Sequence, residues 1–196
     1  ITSGTVQVLI LEFVAGDVRT EGDFQTPSEL LTAEIRTKQG MPLDAAQLSE
    51  DLDWLNRSMF RRVELVLERG ERFGETDLIL QVDETAPWRV YAGMDNTGSR
   101  ATGRERYMLG GNFGGIVLDD ALLSYQYISS RELLSEGRLP FGLTGKRPAY
   151  AAHSFGYSFP LTGRGEVSVF GFYAESRPNL GQIVSSVGKS WQLSAR

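Results

Sequence analysis

Few residues of this 196-residue chain have the types and spacing that enzyme chemistry needs. Cysteine is absent, which excludes a thiol nucleophile, a zinc–thiolate site and a disulfide framework. The single histidine, His153, begins an alternating run and is interpreted as an ordinary strand residue. Because no nucleophile is paired with a base, the sequence predicts a protein that is not an enzyme.

Two other motifs could bind a ligand, and both have a simpler interpretation. Asp119-Asp120 offers two carboxylates, but a hard cation needs more oxygen ligands than this pair, so a turn is predicted. Gly110–Gly115 is rich in glycine but lacks the Gly-Lys-Ser/Thr ending of a phosphate loop and an obvious following helix. These glycines are predicted to lie where an aromatic side chain or a neighbouring backbone packs closely. The sequence therefore implies no metal and no cofactor.

The net charge and the length of the apolar runs limit the kinds of partner and of membrane segment that the sequence predicts. A net charge of −5 gives no electrostatic footprint for nucleic acid. No apolar run approaches the roughly 20 residues of a membrane-spanning helix, a criterion that does not exclude membrane strands. The chain starts at Ile1 and ends inside an alternating run at Arg196, so it is interpreted as an excised or processed piece of a longer protein.

The predicted helices and strands that would position these side chains begin with a small α+β module. Thr5–Val14 is apolar on both faces and predicts a buried strand. Thr26 to Glu29 predicts a helix in which Thr26 and Glu29 form a capping box, and Gly40 is expected to end it. A second helix is predicted from Asp44, with Gln47 completing the cap.

The second helix carries an apolar stripe and is followed by two strands. The stripe, with the polar face of Glu50, Asp51 and Asp53 opposite, comprises Leu48, Leu52 and Leu55. Val63–Leu67 and Leu78–Val82 then alternate with period two. The predicted order is strand, helix, helix, strand, strand.

From Trp88 onward every apolar run alternates. Trp88–Asp95 has one apolar face, Asn96–Ser99 forms a turn, and a second run returns from Arg106. Later runs lie at Leu123–Tyr127, Ser154–Phe159, Glu166–Tyr173 and Ser190–Ala195. Their length suits tilted membrane strands, although a soluble β-sandwich would show similar strands.

Several stretches together resemble the two-partner-secretion outer-membrane transporters of the hemolysin-activator type. Ser3-Gly4-Thr5 resembles the last strand of an upstream POTRA module, and Arg19–Gly22 the opening of the next. Leu55-Asn56 resembles the family's "ldxLN" segment, and Gly70–Val82 resembles "pGxxxGxtdLxxxV". The most specific stretches, which resemble the first barrel strands, are Asp95–Gly98, Thr102–Arg104 and Asp119-Asp120.

The resemblance implies a fold and a place in the cell. The expected fold class is an α+β POTRA module (β-α-α-β-β) followed by the antiparallel strands of an incomplete outer-membrane β-barrel. The expected domains are 1–12, the last strand of an upstream module, 13–86, the POTRA domain, and 87–196, about six barrel strands. Closure needs at least about 8 strands, so this piece should not form a pore alone. The expected location is the Gram-negative outer membrane, with the POTRA module in the periplasm.

The implied function is translocation of a secreted exoprotein, which the POTRA module binds unfolded by strand addition. The edge would be Phe60–Leu67, so Val66→Pro is expected to remove its hydrogen bonding. The expected client-binding residues are Arg61, Arg62, Val63, Glu64, Leu65 and Val66, with Leu30, Leu31 and Glu34 as the groove wall. The expected barrel-start motif comprises Asp95, Asn96, Gly98, Thr102 and Gly103.

Arg61 and Arg62 also fit a simpler role, protection of a strand edge. Two alternatives to secretion remain open at this point: a barrel-assembly factor for outer-membrane proteins, and a soluble β-rich binding or adhesion protein. Expected partners are the exoprotein and outer-membrane lipid but no nucleic acid, and the isolated piece is expected to self-associate through open sheet edges.

Overall fold

The computed structural model describes residue 4 and residues 12–131, 148–181 and 186–196. The chain divides into two compact units, Ile1–Thr85 and Ala86–Arg196. Most of the predicted strand Thr5–Val14, and with it the expected domain 1–12, lies outside the described residues. In the described part of the chain, no helix is long and apolar enough to span a membrane.

In the residues that the structure describes, the first unit contains three strands and two helices. In chain order they are β1 (Val14–Asp23), α1 (Ser28–Ala33), α2 (Ala45–Leu55), β2 (Arg61–Arg69) and β3 (Glu75–Glu84). The sheet order is β1-β3-β2, with β1 parallel to β3 and β2 antiparallel to it. Among the described residues β2 pairs only with β3, so it lies at an edge of the sheet.

A small apolar core joins the sheet to the helices. The predicted stripe faces it, since Leu48 and Leu55 are buried and Leu52 packs against them. The other buried members of this core are Ala15, Leu31, Ile35, Val63, Leu78, Leu80 and Val82. Each fully buried leucine contributes about 1.5–3 kcal/mol, so the stripe fixes α2 on the sheet.

The two helix starts differ from each other. Asp44 caps α2 as predicted, because its Oδ1 accepts from the N–H of Ala46 at 2.9 Å and of Gln47 at 3.2 Å. Gln47 does not complete the cap as predicted, because its side chain donates to Thr37 Oγ1 at 3.0 Å. The capping box predicted for α1 is wrong: Pro27 is the N-cap, and no side chain caps the helix. Thr26 instead donates its hydroxyl to Glu84 at the end of β3, at 2.6 Å.

The helix predicted to run to Gly40 ends at Ala33. Arg36, three residues after the helix, binds Asp51, whose side chain is fully buried rather than on the exposed polar face predicted for α2. Its Oδ2 accepts from the Arg36 N–H at 2.8 Å, and its Oδ1 from Arg36 Nε at 2.7 Å. Lys38 Nζ also donates to the carbonyl of Ile35 at 2.8 Å. These hydrogen bonds give polar groups of the non-helical segment after α1 their partners, and Ile35 of the same segment stays in the core.

The described strands of the second unit form one antiparallel sheet of six strands. They are β4 (Trp88–Asp95), β5 (Arg106–Gly114), β6 (Leu122–Ser129), β7 (Tyr150–Leu161), β8 (Gly165–Ser176) and β9 (Gly188–Ala195). Each strand pairs with its sequence neighbours in the order β4-β5-β6-β7-β8-β9. The antiparallel β-strand prediction is confirmed, and in the described residues the sheet does not close.

The register gives the sheet two different faces. One face carries large exposed apolar side chains, including Trp88, Met94, Trp191 and Leu193. The opposite face is mainly polar and includes Arg89, Asn112, Ser124, Gln126, Ser154 and Gln192. We refer to these as the apolar face and the polar face.

Glycines on the sheet lie under aromatic rings. Gly110 is paired with Tyr91, and a methyl group at Gly110 would lie 2.6 Å from Tyr91 Oη. Gly171 lies in the same way across from the ring of Phe155. The predicted close aromatic packing at the Gly110–Gly115 run is therefore confirmed for Gly110.

The connections alternate in length. Residues 115–121 and 162–164 connect strands at one end of the sheet in 7 and 3 residues, while residues 96–105 connect β4 and β5 at the other end in 10 residues. The predicted turn at Asp119-Asp120 is confirmed, because it lies between β5 and β6 with Asp120 at φ 56°.

Candidate functional site

The backbone of β2 alternates between β3 and the open edge. Thr85 N–H donates to the Phe60 carbonyl, and Gly70 N–H donates to the Glu75 carbonyl, so both of these flanking pairs are hydrogen-bonded. The register is constant between them. Since bonded and non-bonded pairs alternate in an antiparallel ladder, the even-numbered residues of β2 bond to β3. The odd-numbered residues direct their N–H and carbonyl groups away from the sheet.

This alternation corrects the expectation for Val66→Pro. Val66 is even-numbered, so proline there would break the ladder to β3 rather than the open edge. An odd-numbered residue such as Leu67, which is 53% exposed, is the position that tests the edge.

Asn56 occupies the first open position of the edge. Its Nδ2 donates to the Val63 carbonyl at 2.9 Å, and its Oδ1 accepts from the Val63 N–H at 2.7 Å. Asn56 follows α2 directly, so the helix end fixes it beside the strand. In the sequence, Asn56 is distinguished only by the family resemblance, and no spacing rule indicates this contact.

The predicted client-binding residues do not form one surface. Arg62, Glu64 and Val66 lie on the helix-free face of the sheet, where Arg62 pairs with Glu64 at 2.7 Å. Both line a shallow depression of about 580 Å³. Val63 is buried in the core, and Leu65 packs against it.

Arg61 is a buried structural residue and does not protect the edge. Its Nε and Nη2 donate to the Leu55 carbonyl at 3.1 and 3.0 Å, which satisfies the end of α2. Its guanidinium also lies 3.8 Å from Glu84. Partial burial alone would raise the pKa of Glu84, but hydrogen bonds from Thr26 and Gln25, together with Arg61, hold that pKa below its ordinary value.

The expected groove wall lies elsewhere. Leu30, Leu31 and Glu34 lie in or just after α1, and α1 packs mainly on β1, while α2 packs on β2. Because β1 is at the other side of β3, these residues are not beside the β2 edge. Leu31 is part of the core, whereas Leu30 is 49% exposed.

The residues expected to form the barrel-start motif lie in or next to the connection between β4 and β5. Asp95 accepts from the N–H of Thr97 at 2.9 Å, and the Gly98 N–H donates to the Arg104 carbonyl at 2.9 Å. Gly103 adopts φ 80°, which suits glycine. Asn96 is exposed in this connection.

Arg106, which sequence reasoning missed, organises that connection. Its guanidinium is buried and donates to the Gly103 carbonyl at 2.9 Å, the Glu105 carbonyl at 3.0 Å and Thr102 Oγ1 at 2.7 Å. It also stacks over the ring of Tyr150, 4.5 Å from the centroid. An arginine at a strand start carries no signal of this role in the sequence.

The single histidine, considered above for catalysis, is part of the six-stranded sheet. His153 lies within β7, as predicted, with its Nδ1 2.7 Å from Tyr125 Oη. No cluster of three or more His, Cys, Asp or Glu that could hold a metal occurs within the described ranges.

Comparison with known proteins gives consistent findings. The profile of the family described as "Haemolysin secretion/activation protein ShlB/FhaC/HecB" matches residues 74–196. The chain is 30% identical over 104 residues to "Outer membrane transporter CdiB-2" of Burkholderia pseudomallei (strain 1026b), covering 53% of this chain and 18% of that protein. It is 33% identical over 83 residues to "Hemolysin transporter protein ShlB" of Serratia marcescens, covering 42% and 14%.

A solved structure has a similar fold. The structure described as "CdiB from Escherichia coli" matches with a TM-score of 0.65 at 17% identity, over 94% of this chain and 32% of that one. The chain spans only 18% and 14% of the lengths of the two sequence relatives.

Proposed function

The chain belongs to the haemolysin secretion/activation family ShlB/FhaC/HecB, and we propose that it is part of a two-partner-secretion transporter of the Gram-negative outer membrane. The family match confirms the resemblance seen in the sequence. The client would be a secreted exoprotein of the hemolysin or adhesin kind. In this proposal residues 13–86 are a periplasmic POTRA module, residues 87–196 are the first barrel strands, and residues 1–12 end an upstream module.

The observation that carries the membrane part of the proposal is the apolar face of the six-stranded sheet. Trp191 is 77% exposed, Leu193 65% and Trp88 60%, on the same face. All described strands of this unit belong to one sheet, so the unit itself has no second sheet that could cover the face. Lipid-facing strands of outer-membrane barrels alternate apolar residues outward with polar residues inward. A soluble β-sandwich would instead bury this face, so the exposure favours the membrane.

The apolar face can be tested with adjacent substitutions in the full-length transporter. Leu193→Arg places a charge on the apolar face, where it costs about 2–4 kcal/mol at the bilayer midplane. Gln192→Arg is the matched control, because the side chain of this adjacent residue points to the polar face. Heat-modifiable gel mobility of outer-membrane fractions measures folded protein. We expect a large loss for Leu193→Arg only, and equal loss in both variants would contradict the proposal.

The handling step would be strand addition at β2. An open sheet edge offers main-chain hydrogen bonds to an extended client segment. The edge order of the sheet and the outward odd-numbered groups support this step. Leu67→Pro should weaken capture of the unfolded client in a pull-down with full-length transporter, whereas Leu67→Ala, which keeps the N–H, should retain it. Undiminished capture by Leu67→Pro would exclude the edge.

Secretion is favoured over the barrel-assembly alternative because the family profile covers most of the chain. The ends of the six-stranded sheet, β4 and β9, each have one unpaired side in the described residues. The isolated chain would therefore self-associate or need detergent, while the complete protein would pair these edges with further strands.

A further inference from the structure

We infer that Asn56 closes the first open rung of β2 and restricts strand addition to Leu65–Arg69. This inference rests on the proposed client-handling function. A carboxamide offers both an acceptor and donors, so it can replace the N–H and carbonyl of a neighbouring strand residue. Asn56 does this at Val63 with bonds of 2.7 and 2.9 Å. The rung before it is also closed on its N–H side, because Arg61 N–H donates to the Ser58 carbonyl.

The remaining rungs are open. Leu65, Leu67 and Arg69 are the odd-numbered residues beyond Val63, and their outward main-chain groups have no partner in the part of the chain that the structure describes. Residues 65–69 span about 16 Å of strand at about 3.3 Å per residue. A partner strand can therefore form three bonded rungs with this edge, and a longer partner gains no further rung.

The side chains beside these rungs define the partner. Leu65 and Leu67 point to the helix side, and Leu67 is half exposed. Glu64 and Glu68 point to the opposite, solvent-facing side. The segment that fits is an extended stretch of the unfolded client with apolar residues at alternate positions beside Leu65 and Leu67, and polar residues between them.

The test compares two synthetic probes on the full-length transporter. Both are lysine-capped, fluorescein-labelled peptides of alternating valine and threonine, with pairing tracts of about five and about seven residues, matching the three or four rungs. Fluorescence anisotropy gives the affinity of each probe. For the wild type we expect the two affinities to agree within about twofold, because Val63 is already occupied. For Asn56→Ala we expect the longer probe to bind about threefold to tenfold more tightly than the shorter one, since two main-chain groups are released.

Two further variants keep the experiment decisive. Asn56→Asp retains an acceptor for the Val63 N–H but loses the donor to its carbonyl, so its length dependence should be smaller than that of Asn56→Ala. It serves as the test if Asn56→Ala fails to fold by circular dichroism. Leu67→Pro removes an open N–H and should weaken both probes about tenfold.

The outcomes separate the inference from the function on which it rests. If both probes bind, Leu67→Pro weakens both, and the length ratio is unchanged by either Asn56 variant, the Asn56 role is refuted and edge binding stands. A longer probe that already binds wild type tenfold better would also refute it, because the client then displaces Asn56. If neither probe binds wild type, edge binding and the Asn56 role are both refuted.

Discussion

Arg106→Gln should release the connection between β4 and β5. The wild-type guanidinium forms three hydrogen bonds of 2.7–3.0 Å to Thr102, Gly103 and Glu105, and a stacking contact with Tyr150. A hydrogen bond to a charged group contributes about 1.5–3 kcal/mol, and glutamine can replace at most one of the three. We therefore expect the free energy of local opening to fall by about 3–5 kcal/mol.

Limited trypsin digestion of the full-length protein measures this opening. When opening is fast relative to cleavage, the cleavage rate follows the population of the open form. A loss of about 3–5 kcal/mol then raises cleavage after the exposed Arg100 and Arg104 by a factor of about 100 or more. Mass spectrometry identifies both sites.

Arg89→Gln is the matched control. Arg89 is exposed on β4, so this substitution removes the same charge without breaking a contact of the connection. Its cleavage rate at Arg100 and Arg104 should equal that of the wild type. If Arg106→Gln were cleaved no faster than Arg89→Gln, the role assigned to Arg106 would be wrong.

Three other perturbations follow from the packing and the charges. Gly171→Ala places a methyl group against the Phe155 ring and should destabilise the sheet by about 1–3 kcal/mol in heat-modifiability assays, whereas Gly156→Ala, with its nearest atoms at 3.9 Å, should be tolerated; equal effects would argue against the ring contact. Asp51→Asn removes the charge of a buried carboxylate that pairs with Arg36, so it should lower the free energy of unfolding of the first unit, seen as a lower urea midpoint, while exposed Asp53→Asn should change little. The pKa of Glu84 is lowered in the folded protein, so the stabilisation by this carboxylate is present above its ordinary pKa of 4.5 and is lost as the pH falls through the lower folded pKa. The difference in stability between wild type and Glu84→Gln, measured by tryptophan-monitored urea unfolding, should therefore shrink in acid, and a difference that widens there would contradict this.

The strands were predictable because their faces differ. Alternation alone located β4, β6, β7 and β9, since each strand places apolar and polar residues on opposite sides. In β8, Phe170 and Phe172 obscured the pattern. Both lie on the polar face, where Phe170 is opposite Gly156 and Phe172 is opposite Ser154, so the alternation of apolar and polar residues is interrupted there.

The contacts of the candidate edge were not predictable from local pattern. Thr26 has the right type and spacing to cap α1, yet it binds Glu84, 58 residues away in sequence. Arg61 resembles an exposed charge before a strand, yet it satisfies the end of α2. Whether the main-chain N–H and carbonyl of Val66 or those of Leu67 face the open edge depends on which residue pairs with β3 are hydrogen-bonded. The period-two alternation of side chains is the same in both cases, so it does not decide between them.

The neighbour-to-neighbour strand order of the second unit has a consequence for how the sheet assembles. Every strand contact is a hairpin, so no strand must wait for a distant part of the chain before it can pair. The β7–β8 hairpin has the shortest connection, residues 162–164, and twelve paired positions. The entropic cost of closing this loop is therefore the lowest in the sheet. We expect it to nucleate the sheet, with β6 and β9 adding on either side, so that the two unpaired edges of the sheet move outward with each added strand.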